Sequence, residues 1–165
     1  MGASGWNYVV EYQPDLNRAL QELRQREFEA GRYYKPAEFM SRVLELGIVE
    51  AELRPSIEEA IAGRGALTAL RTIAELQEQN AEEGTHSILD IERISEGPAF
   101  GTASPLAPAQ LLEVFGTHRP SLEAVLHEAR ARRLGDKRSG WAGLYVIAYT
   151  WDEPSHIFFC GFSGD

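Results

Sequence analysis

The pattern of hydrophobic and polar positions is clearest in the last quarter of the chain. Two apolar runs, Gly143–Tyr149 and His156–Phe162, flank a polar connection, Thr150–Ser155. Runs of β-branched and aromatic residues bounded by Gly, Pro, Asp and Ser are typical of a β-hairpin. The first run is apolar on both faces, and strands of this kind are usually covered on both sides. The pattern therefore predicts a hairpin in the middle of a sheet, with helices packed over it.

Two further segments alternate as strands do. Residues 6–12 place four apolar or aromatic side chains on one face, which predicts a half-buried strand. Residues 85–94 also alternate and predict a second strand. Residues 95–105 are rich in Gly, Pro, Ser and Ala without a clear period, so we expect a loop there.

Helical spacing of apolar residues recurs between these strands. Asp15 is a suitable N-cap for the first helix, and Pro36 suits the first turn of the second, whose Phe39, Val43 and Leu46 are predicted to face inward. A Ser-x-x-Glu capping box at Ser56 predicts the start of a third helix. Gly63 and Gly65 then indicate a kink or a break, and we favour a break. The later helical stripes cover residues 67–77, 108–115 and 122–134.

The order of these elements predicts the fold class. The order β-α-α-α-β-α-α-β-β matches neither a strict βαβ alternation nor an all-helical chain. We therefore expect one α+β domain over residues 1–165. Its small mixed or antiparallel sheet would have about four strands, with the C-terminal hairpin in the centre, packed with about five helices.

Net charge narrows the classes of partner. The chain carries −9, and residues 130–138 alone carry +4, which leaves −13 for the remainder. Nucleic-acid binding depends on basic surfaces, because phosphate contacts supply most of the affinity. One short basic segment is more typical of a helix C-terminus that runs into a solvated loop. We expect no nucleic-acid partner.

Cysteine content and hydropathy bear on the compartment. Cys160 is the only cysteine, so no internal disulfide can form, which favours a reducing, cytoplasmic location. The N-terminal residues show no basic and apolar signal, and no apolar run is long enough to span a membrane. We therefore expect no membrane association. No phosphate-binding loop, dinucleotide fingerprint or zinc-protease motif occurs, so we also expect no cofactor.

His86, Asp90 and Glu92 form the densest polar cluster on a predicted strand. Side chains two residues apart share a strand face, so these three would lie together, with Ile88 between them. A histidine with two carboxylates can perform acid–base chemistry or hold Zn²⁺ or Mn²⁺. The alternative is a polar sheet face paired with arginine, and no stretch of the sequence has the spacing of a dedicated metal site.

The hairpin also resembles a known family. Gly143-Leu144-Tyr145, followed by Phe159-Cys160-Gly161, is similar to the opening of the GIY-YIG nucleases, in which a tyrosine-bearing strand pairs with a second strand ending in glycine. The resemblance implies Tyr145 as a catalytic candidate. The second strand here reads Phe-Cys-Gly in place of Tyr-Ile-Gly. The family's catalytic arginine and metal-binding glutamate follow the hairpin, where this sequence has only residues 162–165, so we expect a hairpin without nuclease activity.

Two functions from different classes remain. The first is a stoichiometric protein-binding module, resembling an immunity protein or antitoxin, that inhibits a basic partner; acidic surfaces are attracted to the basic sites of nucleic-acid enzymes. Its predicted contacts are two loop aromatics beside acidic helix ends: Tyr33, Tyr34, Glu82 and Glu83. The second is a small enzyme that uses His86, Asp90 and Glu92 in a pocket formed with Tyr145 or Trp141, for example in metal-assisted hydrolysis.

Overall fold

The computed structural model describes residues 4–63, 70–130, 134 and 140–163. These residues form an α+β fold with a five-stranded mixed sheet, which confirms the predicted class with one more strand than expected. In chain order the elements are β1 (Ser4–Glu11), α1 (Leu16–Glu29), α2 (Pro36–Glu45), α3 (Arg54–Gly63), α4 (Ile73–Gln79), a 3-10 helix (Ile88–Asp90), β2 (Arg93–Ile94), β3 (Thr102–Pro105), α5 (Pro108–Phe115), α6 (Leu122–Arg130), β4 (Gly143–Thr150) and β5 (Glu153–Ser163).

The C-terminal hairpin lies in the interior of the sheet, as predicted. The strand order is β1-β5-β4-β3-β2. Strand β5 pairs antiparallel with both β1 and β4, while β4 pairs parallel with β3, and β3 parallel with β2. The antiparallel half is thus built around the hairpin, and the parallel half is reached through α5 and α6.

Both faces of the hairpin are covered, as its two-sided apolar pattern predicts. On one face Leu144, Val146 and Ala148 pack with Phe158 against side chains from α5 and α6. On the other face the core joins β1, the hairpin, α1 and the 3-10 helix; its fully buried members include Leu20, Ile88, Leu89, Ile157 and Phe159. The helix α1 begins where predicted, because the Asp15 side chain accepts a hydrogen bond from the Arg18 backbone N–H.

The connection within the hairpin is shorter than predicted. Strands β4 and β5 extend through most of 150–155 and leave only Trp151 and Asp152 as the turn. Both residues have positive φ, 51° and 65°. Two-residue hairpin loops with positive φ at both positions match the twist of the flanking strands, although Asn-Gly is the usual sequence. The polar residues that indicated a longer loop instead form the ends of the strands.

The predicted strand over residues 85–94 is wrong for most of its length. Only Arg93–Ile94 forms a strand, and Ile88–Asp90 forms a 3-10 turn. His86 has a φ of 51°, which breaks any alternation of side chains. Conversely, Thr102–Pro105 is a strand within the predicted loop, buried between β2 and β4.

The second and third helices differ from the prediction in their surroundings. Phe39 and Leu46, expected to face inward, are 54% and 63% exposed. Helix α3 begins at Arg54, so Ser56 lies inside the helix and does not cap it. Gly65 and most of the basic segment 130–138 lie outside the described residues.

The side chain of Trp6 lies in a slot in the sheet, over two glycines of the hairpin, Gly143 and Gly161. Trp6 on β1 pairs with Gly161 on β5, and its indole also lies over Gly143 on β4. A methyl group built at Gly161 would lie 2.5 Å from Trp6 Cζ2, and one at Gly143 would lie 3.2 Å from Trp6 Cη2. Both glycines therefore make room for a buried tryptophan.

Replacing Gly161 with Ala should lower the free energy of unfolding by about 2 kcal/mol, because an added methyl overpacks the Trp6 ring. Urea unfolding followed by tryptophan fluorescence measures this. Gly97→Ala is the matched control, because a methyl group there meets nothing within 4 Å. Equal stability of the two variants would show that the indole is not confined by this slot.

Candidate functional site

One cleft contains all four residues predicted for partner binding. It has a volume of about 510 Å³ and lies between the segment 33–38 and the end of α4 with the turn that follows. Tyr33 and Tyr34 line one wall, and Glu82 and Glu83 line the other. The structure therefore brings together two pairs of residues that are about 50 positions apart in the sequence.

Hydrogen bonds join the two walls of the cleft. The Tyr34 backbone N–H donates to the Thr85 carbonyl oxygen at 2.8 Å. The Asn80 side-chain amide donates to the carbonyl oxygens of Tyr34 and Gly84 at 3.0 and 3.2 Å. Asn80 is buried, so these bonds form away from water, where an unsatisfied polar group is costly. The spacing of the walls is consequently fixed.

The two tyrosine rings are held by aromatic neighbours. Tyr33 stacks on Phe28 at 5.9 Å between ring centroids, and the Lys35 ammonium lies 5.5 Å from the Tyr33 centroid. Tyr34 stacks on the His86 ring at 4.5 Å and is tilted against Phe39 at 5.9 Å. Both tyrosines are half-buried. Rings already fixed in this way lose little conformational freedom when they contact a partner.

Acidic side chains dominate the charge of the lining. Glu38, Glu78, Glu82 and Glu83 face one base, Lys35, which pairs with Glu38 at 3.1 Å. The lining therefore carries a net charge of −3. A concave surface of one sign concentrates the field of its charges and attracts ligands of the opposite sign. The cleft is suited to a cationic group.

The segment that forms the aromatic wall starts at an ion pair between a buried glutamate and an exposed arginine. Glu27, on the last turn of α1, is 3% exposed and accepts hydrogen bonds from Arg32 Nε and Nη2 at 2.7 and 2.8 Å. These bonds lower the pKa of the Glu27 carboxyl, against the opposing effect of its burial. Gly31, with a φ of 65°, ends the helix and allows the chain to return over it. The pair thereby fixes the residue directly before Tyr33.

The residues predicted for catalysis do not share a strand face. His86 Nε2 lies 2.9 Å from the Glu83 carbonyl oxygen. Asp90 is buried and accepts a hydrogen bond from the Thr85 backbone N–H at 2.8 Å, while Glu92 is exposed. Within the described residues, no three side chains of His, Cys, Asp or Glu are placed to hold a metal ion.

Tyr145 belongs to the core. Its ring lies 6.2 Å from the Phe159 ring, and it packs in the same cluster as Leu20, Ile88 and Ile157. Burial raises the pKa of its hydroxyl. These contacts give Tyr145 a packing role that accounts for its place in the hairpin pattern.

Sequence reasoning missed several other residues that line the cleft. Lys35, Glu38, Glu78 and Asn80 were not predicted as part of the site. Glu78 lies near the end of α4, in an acidic stretch that continues to Glu82 and Glu83, and this stretch was a usable signal. Asn80 gave no signal, because its importance depends on hydrogen bonds to residues distant in sequence.

Comparisons with known proteins leave the site to be interpreted from its own geometry. No protein-family model matches the chain, and no curated protein or solved structure shows significant similarity to it. Within the described residues, none of the helices has the length and apolar character needed to cross a membrane.

Proposed function

We propose that this chain is a stoichiometric protein-binding module that engages a basic partner through the cleft, in the manner of an immunity protein or antitoxin. The observation that supports the proposal is the cleft lined by Tyr33, Tyr34, Glu82 and Glu83 together. Interfaces favour rigid aromatic anchors surrounded by charged groups that increase the association rate.

The charge of the whole chain supports the same class of partner. The chain is strongly acidic, at −9, and the lining of the cleft is acidic as well. A basic active site, such as that of an enzyme acting on nucleic acid, is attracted to such a surface and is blocked when covered by it. Cys160 is buried and, as the only cysteine in the sequence, can form no internal disulfide, which is compatible with the reducing cytoplasm, where we place the protein.

The enzyme alternative remains a prediction without support from this cleft. His86 stacks on Tyr34 and contacts the Glu83 carbonyl oxygen, so its ring helps to hold the cleft walls. Asp90 bonds to the backbone of Thr85 and braces the same turn. Both residues therefore have structural roles at the site that we propose for binding.

Replacing Tyr34 with Ala should weaken the complex by about 2 kcal/mol, expressed mainly in faster dissociation, because a fixed aromatic anchor is removed. Glu82→Lys combined with Glu83→Lys should slow association instead, with an effect that shrinks as salt increases. The partner is first captured from the host and identified, and its kinetics with each variant are then measured by surface plasmon resonance.

The control for charge is Glu96→Lys combined with Glu123→Lys. Both residues are exposed and lie outside the lining of the cleft, so this variant changes net charge equally at another place. It should associate faster than the Glu82 and Glu83 variant. If wild-type protein retains no partner, or Tyr34→Ala binds the identified partner as wild type does, the cleft is not the interface.

A further inference from the structure

Helices α2 and α3 with their connection, residues 36–63, form an arm that leaves several of its large apolar side chains exposed. Pro36 is the only buried residue of the two helices. Of the large hydrophobic side chains exposed in the described residues, four lie on this arm: Phe39, Leu46, Ile48 and Leu53. Exposed apolar residues grouped in this way mark interaction sites more often than singly exposed ones do.

The arm is also acidic. It carries six acids and two bases, for a net charge of −4. Arg54 lies 4.0 Å from Glu58, and Glu38 pairs with Lys35 in the adjacent cleft wall. The other acids, Glu45, Glu50, Glu52 and Glu59, form no ion pair within the described residues. An apolar surface bordered by unpaired carboxylates fits a ligand that is apolar and basic at once.

We propose that the arm is a second part of the interface and binds a basic amphipathic helix of the partner. This inference rests on the proposed function, because it assigns a partner element to a surface that continues from the cleft. The continuity lies in Phe39, which is tilted against Tyr34 at 5.9 Å between ring centroids. A partner segment in the cleft therefore reaches the arm without a gap.

The spacing of apolar residues along α2 favours a helix as the bound element. Phe39 on α2 and Leu46, which directly follows α2, are seven positions apart, so they lie on the same side of the helix axis, about 10 Å apart along it. Apolar residues at positions i, i+3, i+4 and i+7 of a partner helix repeat over the same length. Ile48 and Leu53 in the connection extend the apolar surface beyond the end of α2.

Charge also disfavours other occupants. A second copy of this chain would bring one arm of net charge −4 against another, and like charges across an interface oppose association. Anionic lipid headgroups and nucleic acids are repelled for the same reason. A basic protein segment is the class of ligand that satisfies both the apolar and the charged features.

The test uses three synthetic 18-residue peptides with the intact protein. The first is built from Leu and Lys with helical amphipathic spacing, the second has the same composition in an order without that spacing, and the third replaces each Lys with Glu. Fluorescence anisotropy in about 150 mM salt gives each Kd. We expect the first peptide to bind at least tenfold more tightly than either of the others.

Variants of the arm locate the peptide. Leu46→Ser combined with Ile48→Ser should weaken the first peptide at least tenfold. Leu112→Ser is the matched control, because Leu112 is a leucine that is 48% exposed on α5, and it should leave the Kd unchanged. Leu46 and Ile48 are 63% and 71% exposed and Leu112 is about half exposed, so thermal melts should be close to that of the wild type.

Several results would overturn the inference. They are equal binding of the first two peptides, binding of the Glu peptide, equal affinity of the arm variant and wild type, or dimerisation of the free protein through this surface in analytical ultracentrifugation. None of these results bears on the proposed function itself. That function is tested separately, by the binding of the captured partner to the Tyr34 variant and to the Glu82 and Glu83 variant. Loss of capture by wild-type protein would instead remove the proposed function and, with it, the assignment of the arm to the same partner.

Discussion

Replacing Phe158 with Ala should lower the free energy of unfolding by about 3–5 kcal/mol. Phe158 is fully buried on β5, where it pairs with Val9 of β1 on one side and Val146 of β4 on the other. Its ring packs into the core formed with α5 and α6. Removing the ring leaves a cavity in the middle of the sheet that neighbouring side chains fill only in part. Urea unfolding monitored by circular dichroism measures the loss.

The control for this substitution is Phe100→Ala. Phe100 is 76% exposed and contacts Trp141 by stacking at 5.6 Å, so its loss should change stability by less than about 1 kcal/mol. Phe159→Ala, on the opposite face of β5, should be as costly as Phe158→Ala because it empties the other core. If Phe158→Ala unfolds with the midpoint of Phe100→Ala, the hairpin does not anchor the two cores.

The parts of the fold that were predictable are those with local signals. Strand β1 and helix α1 are specified by alternation, by the Asp15 cap and by Gly31 at the helix end. The position of the hairpin followed from apolar residues on both faces, since only an interior strand can bury both. Each signal is carried by residues close in sequence, so the pattern is visible without knowledge of the tertiary structure.

The strand predicted over residues 85–94 failed because side chains there bond to the nearby backbone. The Asp90 carboxylate accepts from the Thr85 N–H, and the Ser87 hydroxyl accepts from the Leu89 N–H at 3.2 Å. Such bonds compete with a sheet ladder and favour turns. Alternation of hydrophobic and polar residues does not report this competition, so the predicted face shared by His86, Asp90 and Glu92 does not exist.

Four residues of the candidate site were predictable from the sequence, but its other residues and its shape were not. Tyr33 and Tyr34 were identified because no apolar pattern required their burial, and Glu82 and Glu83 because they lie in an acidic run. Their meeting in one cleft depends on contacts of Tyr34 with Thr85 and Asn80, about 50 positions away. The exposed arm was missed because an amphipathic helix has the same pattern whether its own domain or a partner covers it.

Replacing Arg32 with Ala should lower the free energy of unfolding clearly more than Arg18→Ala does, because it leaves the buried Glu27 carboxylate without its main hydrogen-bond donor. Arg26, whose Nε lies 3.4 Å from Glu27 Oε1, remains and limits the loss. Arg18→Ala is the matched control. Its ion pair with Glu22 is exposed on both sides, so its loss should leave the free energy of unfolding nearly unchanged.

The pH dependence of stability distinguishes the loss of this ion pair from a simple loss of packing. Hydrogen bonds from Arg32 hold the pKa of Glu27 below its ordinary value. Such a depressed pKa contributes stability above the pKa of the unfolded chain, near 4.3, and the contribution is lost as pH falls through the folded value. The difference in the free energy of unfolding between wild type and Arg32→Ala should therefore have its full value at pH 7 and shrink below about pH 4. A difference that is constant with pH would indicate that Arg32 acts through its aliphatic portion alone.

The same pair connects stability to the proposed binding. Arg32 directly precedes Tyr33 but is not part of the cleft lining, so its removal acts on binding through the position of the aromatic wall. We therefore expect Arg32→Ala to slow association with the identified partner less than the Glu82 and Glu83 variant does, and to speed dissociation less than Tyr34→Ala. Arg32→Lys keeps the charge but cannot donate the two parallel hydrogen bonds, so it should recover only part of the stability. Full recovery by lysine would show that charge alone positions this wall.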